Sequence, residues 1–233
     1  MKKLLLAGGS LLILATGASA ADLPRAPVAA PMQPAPVMAR VYDWTGFYVG
    51  GNIGWGWASA SGTNTVGGFP GTISSRGDGF LGGVQAGYNW QTGNIVFGVE
   101  TDIQATGGNG NFSGAAGPFV YGGEARSEYL GTIRGRLGFA ADTWLFYVTG
   151  GAAYGENRIS GTIAPGGAFS SRANYWTWTL GAGVETALWD NWTVKAEYLY
   201  VDKPSRVPVV PFTSSVTGDA RAHVARIGVN YRF

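Results

Sequence analysis

The sequence predicts an all-β fold, an eight-stranded antiparallel up-and-down β-barrel, and three observations support this prediction. Apolar residues recur at every second position in eight separate segments, which is typical of strands and not of helices. The 233 residues include 39 glycines and are 13% aromatic, whereas charged residues make up only 13%, about half the usual share for a soluble domain. No apolar stretch reaches the length of about 20 residues that a transmembrane helix needs.

Each of the eight segments has one apolar face and one face of small or polar residues. The segments cover residues 47–57, 80–91, 94–104, 128–139, 144–152, 176–185, 192–200 and 225–233. In chain order, neighbouring residues on the two faces are Val49 and Gly50, Val84 and Gln85, Val99 and Glu100, Ile133 and Arg134, Val148 and Thr149, Trp178 and Thr179, Val194 and Lys195, and Ile227 and Arg226.

The connections between these segments alternate in length. Short turns are predicted at residues 91–94, 140–143 and 188–191, each with Gly, Asn or Asp. Four long links, at 60–78, 106–126, 156–173 and 202–219, are rich in Gly, Ser, Asn and Pro, and contain every proline that follows residue 43. Proline cannot donate a ladder hydrogen bond, so this placement agrees with the strand assignment. Short periplasmic turns and four long extracellular loops are therefore expected.

The first 43 residues are predicted to lie outside the barrel domain, which spans residues 44–233. Lys2 and Lys3 precede an apolar run that ends in Ala18-Ser19-Ala20, so residues 1–20 are typical of a cleaved signal peptide. Residues 21–43 carry five prolines among Ala and Val, which favours an extended periplasmic tether. Removing residues 1–20 leaves 14 basic and 14 acidic residues, so the mature chain is neutral and no nucleic-acid partner is expected.

The composition of the two faces decides between a soluble barrel and a transmembrane one. The polar faces contain few Lys and Glu residues, whereas a face in water normally carries far more charge. Aromatic residues also form two groups, as do the interfacial belts of a membrane barrel. Those near the short turns are Trp44, Trp90, Phe139, Trp144, Trp192 and Phe233, and those near the long links are Trp55, Trp57, Phe80, Tyr129, Tyr154, Trp176 and Tyr200. A transmembrane barrel, with its apolar face on lipid, is predicted.

Two end segments carry a resemblance to a known family. The run Trp44-Thr45-Gly46-Phe47-Tyr48-Val49-Gly50-Gly51-Asn52-Ile53-Gly54 and the ending Gly228-Val229-Asn230-Tyr231-Arg232-Phe233 resemble the small Gram-negative outer-membrane β-barrel proteins of the immunogenic and heme-binding type. The resemblance implies a location in the outer membrane, with lipid and lipopolysaccharide as partners. It also implies that the barrel-assembly machinery recognises the terminal Phe233. The oligomeric state is left open.

Ten charged residues fall on the polar faces and are expected to meet in the lumen. They are the acids Glu100, Asp102, Glu128, Glu185 and Glu197 and the bases Arg134, Arg136, Lys195, Arg226 and Arg232. An eight-stranded barrel leaves an interior only wide enough for side chains to fill. A paired polar core is therefore predicted, with a selective pore or proton path as the alternative.

No catalytic, cofactor-binding or metal-binding residue is predicted, and the protein is not expected to be an enzyme. The chain has no Cys and one His, His223, which the alternation places on the lipid face near the outer end of the last strand. The tripeptide Arg76-Gly77-Asp78 is interpreted as a turn before a strand, because so short a motif arises readily by chance.

The sequence thus predicts a structural outer-membrane barrel that displays surface loops and contributes to membrane integrity and surface interactions. A narrow porin for small solutes is one alternative. A surface receptor that binds heme or a host ligand through its loops is the other.

Overall fold

The computed structural model describes residues 42–203 and 213–233, and these residues form antiparallel β-strands. No helix in the described part of the chain is long and apolar enough to cross a membrane. The strands are β1 Gly46–Val66, β2 Phe69–Thr92, β3 Ile95–Thr106, β4 Asn109–Ala116, β5 Phe119–Ala141, β6 Trp144–Ala164, β7 Gly167–Trp189, β8 Trp192–Lys203 and β9 Thr213–Arg232.

These nine strands close into an eight-stranded barrel. Apart from β3 and β4, which do not pair with each other, each strand pairs with its neighbour in the chain, and β9 pairs with β1 to complete the ring. β3 and β4 both lie between β2 and β5, so together they form the third barrel strand, interrupted at Gly107 and Gly108. The interruption lies where Gly79 and Gly108 approach so closely that a Cβ atom on Gly79 would overlap Gly108. The predicted fold class is confirmed.

The three short turns are confirmed and lie at one end of the barrel, the short-turn end. Each joins two strands through two residues, at 93–94, 142–143 and 190–191. Gly93 and Asp142 have φ values of 60° and 56°, which glycine and aspartate tolerate better than most residues. This left-handed backbone reverses the chain in two residues.

At the opposite end, the hairpin end, the prediction of long loops is wrong for three of the four links. The links at 60–78, 106–126 and 156–173 are mostly strand, because β1 and β2, β4 and β5, and β6 and β7 continue to two-residue turns. Those turns lie at 67–68, 117–118 and 165–166, and Pro70 is the second residue of β2. Of the fourth link, 204–212 and its three prolines lie outside the described residues.

The two faces of the barrel have inverted polarity, as predicted. Outward-facing Val84, Ile133 and Val148 are each about 60% exposed, whereas inward-facing Arg134 and Lys195 are almost fully buried. Outward apolar side chains form a band between the two aromatic belts, which is the arrangement of a barrel that meets lipid. Trp44 is an exception, because it is fully buried and does not belong to the belt at the short-turn end.

The predicted signal peptide, residues 1–20, lies outside the described residues. So does the predicted tether, apart from Tyr42 and Asp43 at its end.

Candidate functional site

The lumen contains a buried charge network between the two ends of the barrel. Its members come from inward-facing positions of β3, β5, β7, β8 and β9, and each is at most 5% exposed. The acids are Glu100, Asp102, Glu185 and Glu197, and the bases are Arg134, Arg136, Lys195 and Arg226. Four acids meet four bases, so the network is neutral.

Arg134 lies at the centre of this network. Its Nη2 atom is 2.5 Å from Glu100 Oε1 and 2.8 Å from Asp102 Oδ2, and its Nη1 atom is 3.0 Å from Glu197 Oε1. Its Nε atom donates to the hydroxyl of Thr132 at 2.9 Å. A guanidinium presents five N–H donors in a planar fork, which lets one arginine join three carboxylates from two regions of the wall.

Lys195, Arg226 and Gln104 supply the remaining donors to the carboxylates of this group. Lys195 Nζ lies 2.8 Å from both oxygens of Glu100, and the Tyr48 hydroxyl donates to Glu100 Oε2 at 2.7 Å. Arg226 Nε donates to Glu197 Oε2 at 2.7 Å. Each buried carboxylate therefore has several charged or hydroxyl partners, which burial of a charge requires.

Arg136 and Glu185 continue the network toward the short-turn end. Their closest atoms are 2.8 Å apart, and the guanidinium carbon of Arg136 lies 3.9 Å from the centre of the Tyr147 ring. The Thr193 hydroxyl and Asn230 Nδ2 donate to Glu185 Oε1 at 2.5 and 2.8 Å. The charges and aromatic rings thus fill the barrel cross-section together.

Two of the ten predicted lumen charges do not belong to the network, and only one of them, Glu128, lies outside the lumen. Glu128 is exposed, because a register shift between Ser127 and Tyr129 inserts an extra residue in β5 and turns Glu128 outward. Its assignment to the lumen was wrong. Arg232 faces inward at the short-turn end, where its Nη2 atom donates to the backbone oxygens of Asp43 and Thr45 at 2.7 and 3.1 Å.

Trp44 closes the barrel at the short-turn end. It packs with Val96, Ala140 and Leu145, and the guanidinium of Arg232 lies 5.4 Å from its ring. The backbone N–H of Trp44 donates to Gln91 Oε1 at 2.6 Å. Just before it, the Thr45 N–H donates to the Asp43 carboxylate, and this hydrogen bond lowers the pKa of Asp43. The segment leading into β1 therefore folds into the lumen as a plug.

Toward the hairpin end, apolar layers and a cavity follow the charge network. Leu81, Leu199 and Val224 form one buried layer, and Leu130, Ala153 and Val201 form another. Beyond them is a cavity of about 320 Å³, whose wall includes Gly56, Ala58, Ala60, Gly62, Ala220 and Ala222. A third apolar cluster, containing Phe112, Tyr121 and Ile163, lies nearer the tips of the hairpins.

The remaining candidate residues lie on the outer surface. His223 is on the outer face as predicted, with Nδ1 2.6 Å from the Tyr198 hydroxyl and its ring stacked 5.6 Å from that of Trp57. Arg76-Gly77-Asp78 lies inside β2 and pairs with both β1 and β4, so its interpretation as a turn was wrong. No group of three or more potential metal ligands occurs within 42–203 and 213–233. The predicted absence of enzymatic activity stays a prediction.

Phe233 lies on the outer face beside the start of β1. Its N–H donates to the Phe47 carbonyl at 3.0 Å, the two rings are 6.1 Å apart, and the side chain is 71% exposed. Its recognition by the assembly machinery stays a prediction.

Sequence reasoning missed the plug and the cavity. The plug has no periodic signal, since Trp44 comes before the first strand. The cavity does have a signal in the sequence. The inward positions of β1 are Gly56, Ala58, Ala60 and Gly62, whose small side chains leave the lumen unfilled.

The sequence matches a known family over most of its length. Residues 10–233 match the family described as outer membrane protein beta-barrel domain. The 31 kDa outer-membrane immunogenic protein of Brucella melitensis biotype 1 is 37% identical over 253 residues, covering 100% of both chains. The 22 kDa outer membrane protein of Rhizobium leguminosarum bv. viciae is 34% identical over 164 residues, covering 70% of this chain and 66% of the relative.

A solved structure shares the fold. The outer membrane protein OprG of Pseudomonas aeruginosa superposes with a TM-score of 0.52 at 14% sequence identity, covering 82% of this chain and 98% of that one. At this identity the likeness concerns the fold alone.

Proposed function

Because this chain belongs to the outer membrane protein beta-barrel domain family, we propose that it is a structural outer-membrane barrel with a closed lumen and a surface-displayed outer part. The short-turn end then faces the periplasm and the hairpin end faces the outside of the cell, as in other outer-membrane barrels. In this role the protein contributes to the integrity of the membrane and to surface interactions.

The observation that carries this proposal is the neutral charge network across the lumen. Arg134 and Arg226 each contact carboxylates from both β3 and β8, and Lys195 joins β8 to β3 across the barrel. A transport path would have to separate these pairs, which are almost fully excluded from solvent. Removing one partner of a buried pair costs about 3–5 kcal/mol, so spontaneous opening is rare.

The proposal that the part of the barrel beyond the belt at the hairpin end is exposed on the cell surface rests on the length of the hairpins. β1 and β2 run about ten residues beyond the belt residues Trp57 and Phe80, and their outward positions there carry Ser59, Ser61 and Ser74. Hydroxyl side chains suit water better than lipid. Relatives whose names describe outer-membrane immunogenic proteins support an exposed outer part.

Electrical recording tests the closed lumen. Protein refolded into a planar bilayer is expected to give no steady conductance. Reproducible conductance steps would contradict the closed barrel and favour the narrow porin.

Labelling of intact cells tests the display. The chain contains no Cys, so single substitutions can be labelled selectively with a membrane-impermeant maleimide. Ser170→Cys, on the outer part of β7, is expected to react, whereas Asp190→Cys, in a short turn, is expected to react only after the outer membrane is permeabilised. The opposite pattern would invert the proposed orientation.

A further inference from the structure

Three arginines form a continuous row on the outer surface of the barrel. In the β-sheet register, Arg126 of β5 lies directly opposite Arg158 of β6, and Arg158 lies directly opposite Arg172 of β7. All three side chains are exposed and face outward. Neighbouring strands are about 4.8 Å apart, so the row places three positive charges side by side. Like charges directly opposite each other destabilise a sheet.

The chain neutralises this row only in part. Arg126 forms an ion pair with Glu124 at 3.0 Å, on the side nearer the hairpin tips. Arg158 and Arg172 form no ion pair within residues 42–203 and 213–233. Glu128 and Glu156 lie on the membrane side of the row, and neither forms an ion pair in the same part of the chain. Two guanidiniums are thus left without a fixed counter-ion.

The height of the row on the barrel indicates which anion reaches it. Arg158 follows the belt residue Tyr154 by four positions, and Arg172 precedes the belt residue Trp176 by four. Four residues of a strand tilted by about 40° rise roughly 10 Å, at about 3.3 Å per residue. Aromatic belts lie at the level of the lipid headgroups. The row therefore lies at the outer edge of the headgroup layer on the extracellular side.

We propose that Arg158 and Arg172, with Arg126 beside them, bind a phosphate group of the outer-leaflet lipopolysaccharide. Arginine matches the geometry of phosphate with two parallel N–H donors, so two adjacent guanidiniums can hold the oxygens of one phosphate. A lipid-borne phosphate is favoured over a free one because the aromatic belt beneath the row positions the lipid that carries it. This binding deepens the proposed structural role, since it fastens the wall of β5 to β7 to the lipid around it.

The test compares two double variants that each lose two exposed arginines. In R158Q/R172Q the row is broken. In R76Q/R221Q, the matched control, the two arginines both lie opposite Ser59 and are not directly opposite each other. Binding of purified lipopolysaccharide to the detergent-refolded proteins is measured by titration, together with the thermal midpoint seen by circular dichroism. The wild type and R76Q/R221Q are expected to bind and to gain thermal stability, and R158Q/R172Q to bind at least tenfold more weakly.

Further measurements separate this proposal from a fault in folding and from other ligands. Without lipopolysaccharide, R158Q/R172Q is expected to be at least as stable as the wild type, because the substitution removes like-charge repulsion. Glu156→Gln, which removes a nearby negative charge, is expected to tighten binding. Equal binding of dephosphorylated lipopolysaccharide, or equal binding by both double variants, would overturn the proposal. Displacement by inorganic phosphate at equal concentration would show a free-anion site and overturn the lipid assignment.

Discussion

At the scale of single residues, the lumen tolerates buried charges because each has several fixed partners. Arg134 shows this best, since its side chain is fully buried and contacts three carboxylates. Arg126 provides the contrast, because it forms one ion pair, with Glu124, in which both side chains are exposed to solvent. The same type of side chain therefore has two very different contributions to stability.

Replacing these two arginines by methionine measures the difference. Arg134→Met leaves three buried carboxylates short of a partner and is expected to lower the free energy of unfolding by about 3–5 kcal/mol. Arg126→Met is expected to change it by less than about 1 kcal/mol, as is usual for a surface pair. Urea unfolding in detergent micelles, followed by tryptophan fluorescence, gives both values. A similar loss in both variants would mean that the network is not buried.

Glycine at inward positions makes room for the tyrosines of the network. A Cβ atom on Gly183 would lie 2.5 Å from the Tyr147 hydroxyl, which donates to Glu197 at 3.1 Å. Gly51 faces outward, and a Cβ atom there would meet nothing closer than the Gly83 carbonyl at 3.7 Å.

Gly183→Ala is therefore expected to cost about 1–3 kcal/mol, because it overpacks a buried ring that cannot move away. Gly51→Ala is expected to be neutral or slightly stabilising, since alanine restricts the unfolded chain. The same urea titration compares them. If Gly183→Ala were as stable as the wild type, Tyr147 would not be held against the wall.

At the scale of elements, the sequence predicts strands well where the two faces differ in polarity. Each predicted segment lies within a strand between the aromatic belts, apart from one or two residues at its ends, because lipid on one side and a polar lumen on the other impose strict alternation. Beyond the belts, both faces of β1 carry small or polar residues such as Ala58, Ser59, Ala60 and Ser61. The alternation in hydropathy disappears there, so the strand continuations resembled loops.

The bulge in β5 shows a second limit of the same reasoning. A period of two predicts faces only while the register is continuous, and the extra residue at Ser127–Tyr129 reverses the assignment of Glu128. Nothing in the local sequence marks the bulge. The alternation of inward and outward positions predicts which charged residues face the lumen in most cases. Which acid meets which base follows only from the closed barrel.

The lipid face can be tested with one substitution on each side of the aromatic belt near the hairpin end. Val148→Arg, near the middle of the apolar band of β6, is expected to cost about 2–4 kcal/mol in a lipid bilayer. Ser170→Arg, on the outer part of β7, is expected to change stability by less than about 0.5 kcal/mol. Unfolding in lipid vesicles measures both. Equal costs would mean that β6 does not face lipid at Val148.

At the scale of the whole molecule, the barrel is filled in successive layers along its axis. From the short-turn end these are the Trp44 plug, the charge network, the apolar layers, the cavity and the outer apolar cluster. The plug is the one layer contributed by residues that precede β1. The barrel domain therefore includes Tyr42, whose ring the Arg232 guanidinium approaches to 4.9 Å.

Two truncations test where the folding unit begins. A chain that starts at Tyr42 keeps the plug and is expected to refold in detergent with the stability of the full chain. A chain that starts at Gly46 lacks Trp44 and leaves Arg232 without its two carbonyl acceptors, so it is expected to lose about 3 kcal/mol or more, as when a buried tryptophan is removed. Migration of unheated and boiled samples in gels checks that both form barrels, and urea unfolding measures the loss. Equal stability of the two truncated chains would show that the plug does not stabilise the barrel.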